Sequence, residues 1–368
     1  MAQNSHSTSS TARLSLINVI KLAGAYCAFC IGSGFASGQE ARLFFAAHGL
    51  YSFGALAISL ILFMWFGSAV MLKGHQLRTT STSAIFRQYC GKHLGYALEA
   101  FILLFLFSVV VIMISGAGAT MTEYYGLNPY VGRVLMAAAS TLAIIFGLRR
   151  LITIIGFIGP LIIAICLAAG IAGILHNPDG ITEAAQNIHN FDLPKAAPHW
   201  ALSGLLYTAF MVVGSAPFFS GLGTAARNPK EALYGGILGG FLLIGAAAIL
   251  STGILANLEE VFDKEMPALA MAGAALPWLA DIFAVILLLG IFFTAAPMLW
   301  SVCNRFAPDG TPRFRLTALI LGVAAFFGGL LPFGQLVAFV YPKTGVIGLF
   351  FMICVLLHPV IKKYNKKD

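Results

Sequence analysis

Glu40, Glu99, Asp281 and Lys343 are the side chains of this sequence with most chemistry to offer, because each is charged and lies in an otherwise apolar segment. A charge inside a bilayer-length apolar run is costly and is normally paired or functional. Glu40 sits in "CIGSGFASGQEARLFF", residues 30–45, where three glycines and two serines fall within seven positions. Arg42 follows Glu40 at a spacing that points the two side chains to different faces of a helix, so each needs another partner. Lys343, in "YPKTG", is the candidate partner for Glu40. Two other readings stand beside that pair: Glu40 as a proton carrier, and Glu40 with Gln39 exposed at an outer vestibule. Glu99 and Asp281 lie just inside the ends of their segments, where snorkelling to the interface explains both. Proton exchange at the two ends of a pathway is the sharper alternative.

Other chemistry is thinly represented. Cys27 and Cys30 form a CxxC on an apolar segment without flanking histidine or acid, which suits packing better than metal or redox work. The histidines show no metal-ligand spacing, so no metal site and no cofactor is expected beyond a coupling ion, Na+ or H+. There is no GxSxG, HExxH or nucleotide-binding loop, which argues against an enzyme. Neither a filter loop nor rings of charge point to a channel.

These residues are positioned by membrane helices. Of 368 residues, 59% are hydrophobic and 10% are charged, against about 25% charged in a soluble domain. Apolar runs of bilayer length recur from end to end, whereas barrel strands would be short and alternating. Ten spans are expected, near 15–46, 50–72, 94–124, 129–147, 151–175, 199–224, 231–256, 277–304, 315–331 and 333–358. Asn18 and Lys21 interrupt the first apolar run, so it reads as an uncleaved first helix rather than a signal peptide. With the N-terminus inside, 17 of the 22 basic residues fall on the cytoplasmic side; Arg133, Lys195 and Lys264 fall outside, and Arg42 and Lys343 within the membrane. That bias places both termini in the cytoplasm and the chain in the cytoplasmic (inner) membrane, and it accounts for the net charge of +8 without nucleic acid as a partner.

A repeat organises the spans. "YCAFCIGSGFASG" from Tyr26 returns as "YTAFMVVGSAPFFSG" from Tyr207, at an offset of 181 at the tyrosine and 183 at the Ser-Gly. Glu99 maps onto Asp281 and Pro160 onto Pro342 at a similar offset. The expected organisation is a cytoplasmic tail at 1–13, a five-helix repeat at 14–176, an extracytoplasmic connection at 177–198, a second repeat at 199–360 and a basic tail at 361–368. Five is odd, so the second half is inverted relative to the first. Matching interrupted helices in inverted halves point to a transporter and its binding site. A straight helix over 15–46 would be about 48 Å long, far more than a bilayer core of about 30 Å. Glycine lets such a segment unwind, and unwound backbone must face protein or a wet cavity. Pro217 marks the corresponding expected break in span 6. Close helix packing through small residues is the plainer explanation of both stretches.

"IGSGF" at 31–35 resembles the first-helix signature of the amino acid–polyamine–organocation superfamily, and "GSGFASGQE" resembles the YkvI-like amino-acid permeases of that superfamily. With the repeat, the resemblance covers roughly residues 14–360. It implies the LeuT fold: an all-α integral membrane protein of ten transmembrane helices, a 5+5 inverted repeat, with helices 1 and 6 discontinuous. It implies a substrate between spans 1 and 6, with Gly32, Ser33 and Gly34 offering amides to a carboxylate, and Gly214, Ser215 and Ala216 offering carbonyls or a hydroxyl to an amino group. Phe35, Phe218 and Phe219 become candidate shutters, or plain packing. By analogy with the charge pair that closes the outer gate in relatives, Glu40–Lys343 would be a latch. Sodium-coupled relatives hold a cation between span 1 carbonyls and two adjacent span 8 hydroxyls. Here Ala28, Ile31 and Ile291 would supply carbonyls and Thr294 one hydroxyl, but Ala295 stands where the second belongs. Span 5 has no lysine of the kind some proton-coupled relatives use, and the coupling ion stays open. The Asp-Pro-Gly and span 6 methionine motifs of metal carriers of this fold are absent. The expected function is secondary active transport of a small organic solute, most simply an amino acid or related zwitterion. The alternatives are a non-transporting membrane receptor on the same fold and a carrier of another solute. The partners are that solute and the lipid bilayer; the oligomeric state is not readable.

Overall fold

The first apolar segment does not fold as one helix. Ser15 caps α1 (Leu16–Cys30), its hydroxyl accepting from the Asn18 amide at 3.4 Å. At Ile31 the backbone leaves helical geometry (φ −82°, ψ 76°). The chain resumes as two short pieces, α2 (Ser33–Ala36) and α3 (Gln39–Phe44). Between them Ser37 donates to the Gly34 carbonyl at 2.7 Å and accepts from the Gln39 amide at 3.2 Å. Gly38 takes φ +84°, and a Cβ there would lie 2.7 Å from the Ala268 amide nitrogen, so both conformation and contact require glycine.

The computed structural model describes residues 14–78, 84–146 and 149–364; the expected tail at 1–13 and the last four residues lie outside this range. A 3-10 stretch (Ala46–Tyr51) leads into α4 (Ser52–Leu77). Then come α5 (Ala84–Glu123), α6 (Pro129–Phe146), α7 (Arg149–His176) and α8 (Gly180–Asn187). The second half contains α9 (Trp200–Ala225), α10 (Pro229–Ala256), α11 (Leu258–Val261) and α12 (Pro267–Ala275). It ends with α13 (Pro277–Phe306), α14 (Pro312–Gly328) and α15 (Phe333–Tyr364). Among the described residues eight helices are long and apolar enough to cross a membrane. They coincide with eight of the ten expected spans. The other two segments are the α1–α3 region and α14, which has 17 residues. The protein is a multi-pass, all-helical membrane protein, and Phe146, Leu175 and Phe306 are among the large apolar side chains on its outer surface.

The break expected in span 6 is absent, which corrects the sequence reading. Residues Trp200–Ala225 form one helix that contains Pro217. Proline removes a single donor from the ladder. Within the turn before it, Ser215 donates its hydroxyl to the Met211 carbonyl at 2.5 Å. A helix pinned along its length by neighbours tolerates that loss, and α9 packs closely on both α4 and α15. Cβ atoms on Gly223 and Gly348 would lie 1.8 Å from Met71 O and 2.1 Å from Ala209 O, so these glycines set how near the backbones approach.

The helix pairings respect the offset of the repeat. Exchanging α1, α4, α5, α6 and α7 for α9, α10, α13, α14 and α15 turns the α4–α9 contact into α10–α1, and α5–α6 into α13–α14. It likewise turns α5–α15 into α13–α7 and α9–α15 into α1–α7, and every one of these pairs packs. The two connections read as polar loops are partly helical: α8 lies in the first, and α11 with the start of α12 in the second.

Candidate functional site

After the break that follows α1, Glu40 on α3 is buried, with only 4% of its surface exposed. Gly34 on α2 lies against it. A Cβ at Gly34 would be 2.7 Å from Glu40 Oε1 and 2.8 Å from the Tyr341 hydroxyl of α15. Glycine therefore leaves the space into which a carboxylate and a phenol converge. Glu40 Oε2 is wholly enclosed and has no hydrogen-bond partner among the described residues. Cys30, Tyr207 and Tyr341 are the titratable groups near enough to feel its charge. Behind Tyr341 the rings of Phe210 and Phe44 stack in series, at 4.8 and 5.4 Å between centroids.

The two stretches related by the repeat meet at this place. The Cys30 thiol at the end of α1 is a hydrogen-bond neighbour of the Ser215 hydroxyl on α9. Gly32 faces α13, and a Cβ there would lie 3.8 Å from Thr294 Oγ1. Ala295, beside Thr294, is fully buried and brings no oxygen from its side chain. Ile291 is buried on the same helix, and Ala28 packs instead against α7 at Gly159. Gly214 abuts Phe105, and Ala216 is buried. Phe35 is buried within 1%. Phe218 and Phe219 stack on Phe29 and Tyr26 of α1, with centroids 4.0 and 3.9 Å apart. The side chain of Ser33 lies outside the described residues.

Lys343 does not join Glu40. Its ammonium sits 3.2 Å above the Phe339 ring and the residue is exposed. The reason is helical phase: Tyr341 faces the core, and two residues later at about 100° each the chain points to the opposite side. Glu99 and Asp281 are also remote from the cluster. Glu99 pairs with Arg87 at 2.5 Å, and the exposed Asp281 accepts from the Tyr124 hydroxyl.

The sequence reading missed a clamp around the 257–268 connection. Arg42 Nη1 donates to the carbonyls of Val261 (3.1 Å) and Phe262 (2.7 Å), and Nη2 to Gln39 Oε1 (3.0 Å). Gln39 Nε2 donates to the Glu265 carbonyl at 2.9 Å, and the Ala268 amide to the Ser37 carbonyl at 3.0 Å. From the end of α5, Glu123 accepts the amides of Glu265 (2.6 Å) and Met266 (2.8 Å). The Glu265 carboxylate accepts from the amides of Phe333 and Gly334 at the start of α15. Burial, with Glu123 nearby, still raises the Glu265 carboxyl above the usual range. A cavity of about 260 Å³ opens beside this clamp, lined by Glu123, Arg133, Glu265 and Pro332 among others. A second buried carboxylate, Glu231 on α10, holds the start of α1 by accepting from the Ser15 amide (3.1 Å) and Asn18 Nδ2 (2.5 Å). Its approach four residues after Arg227 and three after a capping Asn was the only available signal, and it reads as ordinary helix capping.

No protein-family model matches the chain. Two Bacillus subtilis (strain 168) proteins are similar along nearly the whole length. The uncharacterized protein YyaD is 24% identical over 91% of this chain and 95% of its own. The uncharacterized membrane protein YkvI is 22% identical over 90% and 93%. Among solved structures, the inward-facing conformation of Mhp1 superposes with a TM-score of 0.59 at 15% identity, covering 90% of this chain and 73% of that one. The Eremococcus coleocola manganese transporter, in complex with an aromatic bis-isothiourea substituted compound, gives 0.59 at 13% identity, covering 97% and 81%. At such identities the likeness is one of fold, and the fold is that of LeuT-type transporters. Among the described residues no three His, Cys, Asp or Glu side chains gather as a metal-ligand set.

Proposed function

We propose that the protein is a secondary active transporter that carries a small organic solute by alternating access. The observation that carries this reading is the meeting of the α1 break with Ser215 of α9 and Tyr341 of α15, around an enclosed polar site in a LeuT-type bundle. Ten crossings arranged as two inverted five-span halves, with both termini in the cytoplasm, complete the proposal; the exchangeable helix pairings support it. Gly32, Ser33 and Gly34 would receive an anionic group of the solute, and Gly214, Ser215 and Ala216 its amino end. An amino acid or related zwitterion is the substrate class that such a pair of poles fits, and it is the class that the sequence resemblance implies. For a manganese cargo, as the name of one structural neighbour states for that protein, no group of three His, Cys, Asp or Glu side chains gathers among the described residues.

The test is ligand-induced stabilisation. A solute bound to the native state stabilises it by RT ln(1 + c/Kd), with c its free concentration, so the apparent melting temperature rises with the logarithm of that concentration once it exceeds Kd. Purified protein is heated with amino acids, amines and betaines supplied singly, in sodium and in choline buffers. Stabilisation by one zwitterion class, lost in Ser215→Leu, supports the site. An unchanged melting temperature with every compound argues against this substrate class.

A further inference from the structure

Glu40 is the one buried carboxylate of the central cluster, and its surroundings decide what neutralises it. An ionised carboxylate shut away from water without a counter-charge is strongly unfavourable. Neither Arg42 nor Lys343, the cations the sequence places nearest to it, is paired with Glu40. Arg42 is bound to the carbonyls of Val261 and Phe262 and to Gln39, and Lys343 lies over Phe339. The titratable groups that do face Glu40 are neutral acids: Cys30 from α1, Tyr207 from α9 and Tyr341 from α15. α2 brings none, being Ser-Gly-Phe-Ala. No water-sized sphere reaches Oε2, and it has no hydrogen-bond partner among the described residues. A hydrated cation has no room there, and a bare hard cation needs several oxygen ligands that this side of the carboxylate does not offer. A proton needs neither room nor ligands.

We propose that Glu40 is the proton carrier of the transport cycle, protonated whenever α3 and Tyr341 close over Gly34. This rests on the transporter reading above and names its coupling ion. On the side where the site is open, water reaches the carboxylate and a proton binds to one of its oxygens. Closure buries the neutral acid. Opening toward the other side hydrates it again, and the proton leaves to water with the carboxylate electron pair staying on Glu40. Because the ionised form resists closure, the loaded site crosses only with its proton. The empty site returns ionised, with Tyr341 not sealed over Gly34 and water on the carboxylate in place of the solute, so one proton moves per solute and an inward proton gradient drives uptake. Gly34 and Tyr341 are positioning residues: the first leaves the space for the carboxyl, the second seals it.

The test reads the proton itself and needs no knowledge of the solute. Protein in lipid bilayers is titrated with acid and alkali while its infrared spectrum is recorded. The wild type is expected to show, at neutral pH, the carbonyl stretch of a protonated, weakly hydrogen-bonded carboxylic acid. That band should vanish in Glu40→Gln and return, shifted, in Glu40→Asp, with all three proteins shown folded by their melting curves. In proteoliposomes given amino acids singly, the wild type should accumulate its solute about tenfold per unit of pH difference for one proton. E40Q should only equilibrate it. Identical carboxylic-acid bands in wild type and E40Q, or undiminished proton-driven accumulation in E40Q, would overturn the proposal. The first result would leave solute binding, and so the transporter reading, intact.

Discussion

Replacing Arg42 by methionine should loosen the 257–268 connection from the bundle. The arginine is buried and makes three hydrogen bonds, two to the carbonyls of Val261 and Phe262 and one to Gln39 Oε1. Hydrogen bonds to charged groups are worth about 1.5–3 kcal/mol each, and part of the total is offset because the open state re-solvates the guanidinium. A net loss of about 2 kcal/mol from the closed arrangement is the reasonable central figure, and it corresponds to about a 30-fold larger open population. The amides of Glu265, Met266 and Ala268 report on that population, since they donate to Glu123 and to the Ser37 carbonyl only while the connection is docked. Hydrogen exchange measured by mass spectrometry on the 257–268 peptide should therefore accelerate by about 30-fold in Arg42→Met. Arg42→Lys, which keeps the charge but not the fork, should fall between the two. Unchanged exchange in Arg42→Met, in folded protein, would refute the idea that this residue clamps the connection.

Three further outcomes follow from the same geometry. Gly34→Ala places a methyl 2.7 Å from Glu40 Oε1 and 2.8 Å from the Tyr341 hydroxyl, so the closed site should lose about 1–3 kcal/mol, visible as a lower melting temperature. Glu265 binds its proton more tightly in the folded protein than in the unfolded chain. The stability it contributes is therefore complete below the ordinary carboxylate range and is lost as pH rises through its elevated native value. Melting curves across that range should flatten in Glu265→Gln. Lys343→Met removes only an exposed contact with Phe339, worth about 0.5–1 kcal/mol, and should leave solute-induced stabilisation unchanged; abolition of it would restore the Glu40–Lys343 latch.

Much of this architecture is legible in the sequence, because bilayer-length apolar runs and a glycine-rich interruption are local signals. Eight spans and the departure from helix at Ile31 follow from them. The second glycine–serine stretch misleads because Gly214, Ser215 and Pro217 permit a break without requiring one; the neighbours α4 and α15 keep α9 whole. The Glu40–Lys343 pairing misleads for a reason of phase: matching charges on two spans says nothing about which way each helix is turned, and Tyr341, not Lys343, faces inward. The clamp made by Arg42, Gln39, Glu123 and Glu265 was hidden because its acceptors and donors are mostly backbone groups of a distant connection. No spacing in the sequence records such contacts. The burial of Glu231 under the start of α1 is hidden in the same way, by a separation of 216 residues.

Movement of solute across a sealed membrane is the most direct test of the account. Purified protein is reconstituted into liposomes, the interior is loaded with an unlabelled amino acid, and entry of the labelled compound is followed. The account predicts counterflow, with transient internal accumulation of label that is absent from protein-free liposomes and from Ser215→Leu. Saturable binding of the same compound with no entry of label would contradict it, and would leave a membrane receptor built on a carrier's fold.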